Sequence, residues 1–352
     1  MRAAVYYGPN KLEVTDVDEP QVGPGEVKIE VGFNGICGTD LHEYYAGPIF
    51  IPTEPHALTG QQLPLVMGHE FAGTVTEVGS GVSGWAPGDR VAVEPLYRCD
   101  ECHSCRAGNY NICSTIGFHG LMSDGAMAQY TVVPQRMLHR LPDNVSLELG
   151  ALVEPMSVAY HAAALGDVHP GDTALVFGAG PIGIGLWFAL TGMGLDHVHV
   201  VEPSATRRAA IEALGAKTLD PTAIDVPEFV ADTTAGRGAD AAYDAAGVEA
   251  SVQTALGCVG ARKPLVSVAI YEKPLTTPLL NLVMNESRIQ GSLCYTSADY
   301  EAVIGLMEQG RYDTTGWVST IALDDVLDEG FEALHAGTKM KVLIDPSLAA
   351  TR

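Results

Sequence analysis

The sequence predicts an α/β chain of two domains, one mainly β and one built on a doubly wound parallel sheet. The chain has 352 residues, and domains usually contain about 100–200 residues, so two are expected. Short valine-rich runs occupy the first part, and alternating strand and helix patterns follow. We expect one domain to comprise residues 1–150 and 298–352, and the other to comprise residues 151–297.

The first domain is predicted from runs such as EVKIEVGF and GTVTEVGS, which lie between glycine and proline turns. Valine-rich runs with such boundaries are typical of strands. The tail after residue 297 combines the helical pattern YEAVIGLMEQG with the strand-like KMKVLID. We therefore expect the tail to return and pack on the first domain.

The second domain is predicted from an alternation of strands and helices. TALVFG, HVHVVE, AAYDAAG and KPLVSVA have strand character, while residues 182–193 and TRRAAIEALGA have helical character. Such alternation favours a parallel, doubly wound sheet. Residues 174–195 are uncharged and long enough for a membrane helix, but they contain six glycines and Pro181. We interpret this segment as a buried strand and helix.

The charge balance excludes two classes of partner. The chain carries 43 acidic and 20 basic residues, a formal net charge of −23. This charge would repel a nucleic-acid backbone or an anionic membrane, so neither is expected as a partner. The N-terminal MRAAVYYGPNKLEVTD lacks the apolar stretch of a secretory signal, which favours a cytoplasmic location.

Four cysteines lie in one polar loop with the spacing C-x2-C-x2-C-x7-C: Cys99, Cys102, Cys105 and Cys113. Thiolates this close together in a reducing compartment favour a tetrahedral structural zinc with all four positions filled. Disulfides and an iron–sulfur cluster are the alternatives. The compartment disfavours the first, and familiar cluster runs end in C-x3-C-P. Cys258 and Cys294 stand apart and are expected to be small buried side chains.

A second candidate metal group is dispersed along the chain. It consists of Cys37 in GICGTDLH, His69 in MGHEF and Glu154 in LVEPMS. Each residue alone is more often structural than a ligand. Together, a thiolate, an imidazole and a carboxylate suit zinc and leave a fourth position open for catalysis. The sequence therefore predicts one catalytic and one structural zinc per chain.

The segment TALVFGAGPIGIGLW contains a G-x-G-x-x-G pattern formed by Gly178, Gly180 and Gly183. The pattern follows a predicted strand and opens a predicted helix, which is the context of a dinucleotide site. Together with Pro181 and Ile182, these glycines are predicted to hold a diphosphate at the helix N-terminus. A glycine-rich turn without a nucleotide is the alternative.

An acidic residue follows at the end of the next predicted strand. Glu202 lies 19 residues after Gly183, where a carboxylate can accept hydrogen bonds from the adenosine ribose hydroxyls. This favours NAD, because the carboxylate would repel the 2′-phosphate of NADP. Arg207 and Arg208 lie nearby in the sequence, so NADP remains an alternative cofactor. The sequence thus predicts a Rossmann domain that binds NAD.

Taken together, GHE at 68–70, the four-cysteine loop and GAGPIG resemble the zinc-containing medium-chain alcohol dehydrogenase family over essentially the whole chain. Residues 42–70 are most similar to its (R,R)-2,3-butanediol dehydrogenase branch, with sorbitol and other polyol dehydrogenases as nearest relatives. The resemblance implies a GroES-like, mainly β catalytic domain and a Rossmann coenzyme domain. It also implies a homodimer or homotetramer.

The resemblance implies roles for individual residues at the catalytic metal. Cys37, His69 and Glu154 match the catalytic zinc ligands. Glu70 matches an acid beside the zinc that approaches the metal during ligand exchange. Thr39 and His42 match a relay that carries the alcohol proton outward, although Thr39 could instead cap a helix and His42 could lie on the surface.

Two further residues are implied at the cofactor. Lys341, in KMKVLI, is expected near the diphosphate, and Arg207 is expected near the adenine. Pro203, directly after Glu202, departs from the pattern of most relatives and affects the expected ribose contacts.

The implied activity is hydride transfer between NAD and a small vicinal diol or hydroxyketone. The substrates would be (R,R)-2,3-butanediol and acetoin, with reduction of diacetyl as a related reaction. A polyol dehydrogenase acting on sorbitol or xylitol is one alternative. A non-catalytic nucleotide-binding protein on the same fold is another, since fold alone does not imply function. The presence of Cys37, His69 and Glu154 argues against it.

Overall fold

A computed structural model describes residues 1–271 and 273–350. The chain divides into two compact units. Unit 1 comprises Met1–Glu154, Thr296–Glu308 and Trp317–Arg352, and unit 2 comprises Pro155–Tyr295 and Gln309–Gly316. These divisions lie within a few residues of positions 150 and 298. Gln309–Gly316 belongs to unit 2, whereas the sequence analysis assigned every residue after 297 to the first domain.

The strands carry mainly β-branched and other apolar residues, as expected from their sequence. In chain order they are β1 (Arg2–Gly8), β2 (Lys11–Asp16), β3 (Glu26–Gly35), β4 (Leu65–Val66), β5 (Glu70–Val78), β6 (Arg90–Val93), β7 (Leu96–Tyr97), β8 (Gly117–Phe118), β9 (Tyr130–Pro134), β10 (Leu138–Arg140), β11 (Thr173–Phe177), β12 (His197–Val201), β13 (Lys217–Leu219), β14 (Ala241–Asp244), β15 (Pro264–Ser267), β16 (Arg288–Gly291), β17 (Val318–Ala322) and β18 (Lys341–Asp345).

Three of the longer helices, Pro181–Gly192, Ala205–Ala213 and Ser297–Glu308, coincide with predicted helical patterns. In chain order the α-helices are α1 (Gly38–Ala46), α2 (His103–Arg106), α3 (Leu147–Gly150), α4 (Val153–Leu165), α5 (Pro181–Gly192), α6 (Ala205–Ala213), α7 (Val226–Thr233), α8 (Glu249–Cys258), α9 (Leu279–Asn285), α10 (Ser297–Glu308) and α11 (Ala333–His335). Short 3₁₀ segments cover Tyr110–Ile112, Gln135–Met137 and Leu323–Asp325, and a π-helical segment covers Val326–Glu332.

Unit 1 is built mainly from β-sheet. Its larger sheet has the order β10-β6-β5-β3-β18-β17, with β9 also paired to β3, and a smaller sheet has the order β2-β1-β4. The C-terminal strand β18 runs antiparallel to β3, with Leu343 opposite Gly35. The tail therefore returns to the first domain, which confirms the expectation from KMKVLID.

Unit 2 is a parallel sheet with the order β13-β12-β11-β14-β15-β16. Every adjacent pair in this sheet is parallel. The chain order reverses between β11 and β14, and this point is where open parallel sheets bind ligands. The predicted doubly wound sheet is confirmed.

The apolar segment at residues 174–195 divides into strand β11 and helix α5, as predicted. The carboxyl half of β11 and much of α5 are buried inside unit 2. Among the helices of the described residues, none has the length and apolar character needed to cross a membrane.

Candidate metal centres and cofactor site

Helix α1 begins at the first predicted ligand of the catalytic metal. Cys37 is the N-cap residue of this helix, and its backbone N–H donates to Oδ2 of Asp40 at 2.9 Å. An acidic residue at the third helical position is a favourable partner for a helix N-terminus. Thr39 and His42 are half-buried and lie three residues apart, so they share one face of α1. The cap contact fixes the direction in which α1 leaves Cys37.

The second predicted ligand, His69, is held by close backbone packing around a glycine. Gly68 has a φ of +103°, which favours glycine. A Cβ added at Gly120 would overlap the carbonyl oxygen of Gly68. The Gly68 oxygen also accepts a hydrogen bond from the Ala126 N–H at 2.9 Å. Glycines at positions 68 and 120 therefore allow the two backbones to pack closely, and this packing holds the backbone that precedes His69 in place.

These two segments bring predicted site residues together. Single ligand atoms of Cys37, His69 and Glu70 lie within 4.8 Å of one another. Glu154 is buried near the start of α4, and its charge raises the pKa of His69. Glu70, rather than Glu154, supplies the third atom of the compact group. The role of Glu154 as third ligand stays a prediction.

Asp40 is a buried functional residue that the sequence analysis missed. Its Oδ1 lies 3.6 Å from Nδ1 of His69, and neither atom has a hydrogen-bond partner. Burial raises the pKa of Asp40 to about 6. Burial lowers the pKa of His69, but the charges of Asp40 and Cys37 raise it by more, so the net pKa is well above its usual value.

Glu70 and Lys341 form a buried ion pair in unit 1. The Lys341 ammonium donates to Oε2 of Glu70 and to the carbonyl oxygen of Ile36, the latter at 3.0 Å. A Cβ added at Gly35 would overlap the Glu70 carboxylate, so a larger residue there would displace this carboxylate. Lys341 thus contacts the acid beside the metal group, and its expected place at the cofactor diphosphate stays a prediction.

This group of residues fits a zinc ion. Thiolate, imidazole and carboxylate donors match the ligand types of catalytic zinc. The orphaned Nδ1 of His69 faces a carboxylate, which is the arrangement that orients metal-binding histidines. Cys37, Glu70, Asp40 and Glu154 also concentrate negative charge around His69, and a dication would offset it.

We expect Asp40→Asn to weaken zinc binding at this group by about 10–100-fold. The amide oxygen can still accept the Cys37 N–H, so α1 is kept, but the amide cannot favour the proton on Nδ1 of His69. Competition with chelators of graded affinity measures the change. Asp172→Asn is the matched control, because Asp172 also faces a histidine Nδ1, that of His169 at 3.9 Å, on the exposed surface. Equal zinc affinities in both variants would contradict the role of Asp40.

The four-cysteine loop forms a second, separate group. Strands β7 and β8 pair with each other on either side of it, and the four sulfur atoms lie within 4.8 Å of one another. The Cys99 Sγ lies 4.0 Å from that of Cys105 and 3.5 Å from that of Cys113. Tetrahedral zinc with Zn–S bonds of about 2.3 Å requires sulfur separations of about 3.8 Å. The donor set therefore fits a structural zinc with no open position.

Backbone donors support thiolates in this loop. The N–H of Cys102 donates to the Cys99 sulfur at 3.3 Å, and that of Cys105 donates to the Cys102 sulfur at 3.5 Å. The hydrogen bond from the Cys105 N–H lowers the pKa of Cys102 to about 5. Burial raises the pKa of Cys105 to about 12. A bound zinc ion would favour the thiolate form of these sulfurs.

The two cysteines outside these groups match their predicted environment. Cys258 and Cys294 are both buried, and burial raises the pKa of Cys258 to about 12. Both therefore behave as small apolar side chains.

The glycine pattern adopts the geometry of a dinucleotide loop within unit 2. Gly178 has a φ of +99° directly after β11, and Gly180 caps α5, with Pro181 at its first position. A Cβ added at Gly183 would overlap the Gly178 carbonyl oxygen, whereas one added at Gly180 would meet nothing within 4 Å. The third glycine therefore permits close packing, and the second leaves the helix N-terminus open to a phosphate. Ile182 is the second residue of α5, and its contact with the cofactor stays a prediction.

Glu202 lies beside this loop. One carboxylate oxygen accepts the Ala179 N–H and the other accepts the Ser204 N–H, both at 2.8 Å. Each oxygen keeps a second lone pair, so the predicted ribose contacts stay possible and remain a prediction. Arg208 donates to the carbonyl oxygen of Glu202 and pairs with Asp220 at 2.8 Å. Arg207 is exposed, and its predicted contact with adenine stays a prediction.

Comparison with known proteins assigns the family. Residues 23–143 match the model of the alcohol dehydrogenase GroES-like domain, and residues 181–309 match that of the zinc-binding dehydrogenase domain. The chain belongs to the zinc-containing alcohol dehydrogenase family.

Several relatives are similar over at least nine tenths of their length. The (R,R)-butanediol dehydrogenase of Bacillus subtilis is 39% identical over 99% of this chain and 100% of its own. A probable diacetyl reductase of Saccharomyces cerevisiae, described as (R)-acetoin forming, is 38% identical over 99% of this chain and 90% of its own. The crystal structure of 2R,3R-butanediol dehydrogenase from Bacillus subtilis covers 98% of this chain and 99% of its own, with a TM-score of 0.92 and 38% identity.

Proposed function

We propose that the chain oxidises (R,R)-2,3-butanediol to acetoin with NAD and reduces acetoin and diacetyl in the opposite direction. The observation that carries this proposal is that ligand atoms of the half-buried Cys37 and the buried His69 lie within 4.8 Å of each other, beside a helix that bears Thr39 and His42. The similarity to a butanediol dehydrogenase and a diacetyl reductase supports the substrate class.

Cys37, His69 and Glu154 would hold the catalytic zinc, with Glu70 next to it. When bound, zinc supplies Lewis acidity that lowers the pKa of an alcohol hydroxyl, and NAD supplies the hydride acceptor. Asp40 keeps the proton of His69 on Nδ1, so that Nε2 is available as a ligand. Lys341 offsets the charge of Glu70 through their buried ion pair and holds this side chain in place beside the ligands.

Thr39 and His42 would carry the alcohol proton away from the metal. They lie one turn apart on the same face of α1, and both are partly exposed. The Thr39 hydroxyl can accept a proton from the substrate while it donates its own towards His42, whose imidazole can accept that proton. The relay therefore links a buried reaction to solvent.

A substrate panel tests this proposal. We expect the rate of NAD reduction to be highest with (R,R)-2,3-butanediol and much lower with the (S,S) isomer and ethanol. Sorbitol, xylitol and NADP complete the panel. Rates that increase with the number of hydroxyl groups would assign the chain to polyol dehydrogenases. A sample with two zinc ions per chain that reduces no NAD with any alcohol would contradict an enzymatic function.

We also propose that the chain forms a homodimer or homotetramer in the cytoplasm. Helix α9 exposes Leu279, Leu280, Val283 and Met284, each with 66–73% of its surface accessible. Apolar patches of this kind are usually covered by a partner. The thiolates of both metal groups require a reducing compartment. Sedimentation velocity measures the assembly directly.

A further inference from the structure

The carboxyl ends of β14 and β15 carry a polar cluster that neither metal group uses. Asp244 ends β14 and has no accessible surface. Strand β14 lies next to β11, on the opposite side from β12. Asp244 is thus located at the point where the strand order reverses, which is where parallel sheets bind ligands.

Asp244 accepts hydrogen bonds from four donors. The Ser251 hydroxyl donates to Oδ1 at 2.7 Å, and the Tyr271 hydroxyl donates to Oδ2 at 2.6 Å. The backbone N–H groups of Ala246 and Gly247 each lie 3.3 Å from a carboxylate oxygen. A carboxylate offers about four acceptor positions, so the four donors fill all the hydrogen-bonding positions of Asp244.

Tyr271 connects Asp244 to the neighbouring strand. Because its hydroxyl hydrogen goes to Asp244, the Ser267 hydroxyl at 2.8 Å donates to the Tyr271 oxygen. Ser267 is the last residue of β15. The backbone N–H groups of Val268 and Ala269 also donate to the Asp244 carbonyl oxygen, both at 3.1 Å. Side-chain and backbone bonds thus tie residues 268–271 to residues 244–247.

The two connected loops, residues 244–247 and 268–271, lie next to the dinucleotide motif. A Cβ added at Gly178 would lie 3.2 Å from the carbonyl carbon of Ala245 and from the nitrogen of Ala246. A Cβ added at Gly247 would lie 3.2 Å from the Cβ of Ala269. Ile270 exposes 55% of its surface on the second loop. Ile270 thus adds an exposed apolar side chain to the loop that contacts Gly247, and such a side chain suits a flat, weakly polar ring.

We propose that Asp244 and Tyr271 are positioning residues that hold residues 245–247 and 268–271 in place for the nicotinamide half of the dinucleotide. In the predicted binding mode, the adenosine half contacts Glu202, directly after β12, and the glycine loop after β11 binds the diphosphate. The remaining half then extends over β14 and β15, because a dinucleotide crosses the switch point. This inference rests on the proposed use of NAD.

Tyr271→Phe tests the inference, because it removes only the bridging hydroxyl. The dissociation constants of NADH and ADP-ribose are measured by calorimetry on the zinc-loaded protein. ADP-ribose contains the adenosine, the diphosphate and the second ribose but lacks nicotinamide. We expect NADH binding to weaken about tenfold, the usual effect of losing one charge-assisted hydrogen bond, and ADP-ribose binding to stay within about twofold.

Tyr243→Phe is the matched control. Tyr243 is a fully buried residue of β14 whose hydroxyl donates to the Ala163 carbonyl oxygen at 3.1 Å. Its loss should lower Tm and leave both dissociation constants unchanged. Equal weakening of both ligands by Tyr271→Phe, or no change in either, would overturn the positioning role alone. A wild-type protein that binds neither ligand would overturn the proposed cofactor as well.

Discussion

Replacing Cys37 with serine is expected to lower kcat for diol oxidation by at least about a thousandfold and to remove one zinc per chain. A thousandfold loss corresponds to about 4 kcal/mol, which matches the several kcal/mol that a metal contributes as a Lewis acid. Tm should change little, because Cys37 precedes the first residue of α1 and the hydrogen bond from its backbone N–H to Asp40 does not depend on the sulfur. Steady-state rates and elemental analysis measure both effects.

Cys258→Ser is the control for this substitution. It makes the same change of sulfur to oxygen at a buried cysteine outside both metal groups. We expect this variant to lose some stability while it keeps two zinc ions and its activity. If Cys37→Ser retained most of its activity, or if Cys258→Ser lost zinc, the assignment of the catalytic centre would be wrong.

Replacing Cys113 with serine is expected to have the opposite effect, a large decrease in Tm with a smaller loss of kcat. This cysteine is buried, and its sulfur lies 3.5 Å from that of Cys99, so a hydroxyl there leaves three thiolates without a closed metal site. Loss of a structural metal destabilises by about 4 kcal/mol or more, which corresponds to a decrease in Tm of roughly 10 °C. Differential scanning calorimetry measures this change.

Loss of the structural zinc should mainly lower stability, whereas loss of the catalytic zinc should mainly lower kcat. Cys113→Ser should keep the zinc at Cys37 and retain part of its kcat at low temperature, where unit 1 stays folded. Cys294→Ser controls for the loss of a buried thiol. A Cys113 variant with unchanged Tm and zinc content would show that the four-cysteine loop does not hold a structural metal.

Most of the fold could be predicted because its elements follow local patterns. The runs TALVF and HVHVV became the central parallel strands, and the glycine pattern placed the start of α5. The return of β18 to unit 1 was also predicted, because the strand pattern of KMKVLID lies beyond the Rossmann pattern. The assignment of Gln309–Gly316 to unit 2 was missed, since that segment forms no strand or helix. It is instead held by tertiary packing, such as that of Tyr312 against Phe188, with a ring separation of 4.7 Å.

The site was predicted less completely than the fold. Spacing identified the four-cysteine loop, and the glycines beside Cys37 and His69 made those residues candidates. The contact between Lys341 and Glu70 joins residues 271 positions apart, so no local pattern could reveal it. Asp40 carried a usable signal, because an acid three residues after the cap of a helix often accepts the cap N–H. Its approach to His69 depends on how α1 meets the loop before β5.

The most direct test of the proposed function is the rate of NAD reduction with (R,R)-2,3-butanediol while zinc is removed stepwise and then returned. We predict that the rate decreases in proportion to the loss of one zinc per chain and recovers when zinc is restored. A full rate in protein whose zinc at Cys37 and His69 has been removed would contradict a zinc-dependent dehydrogenase.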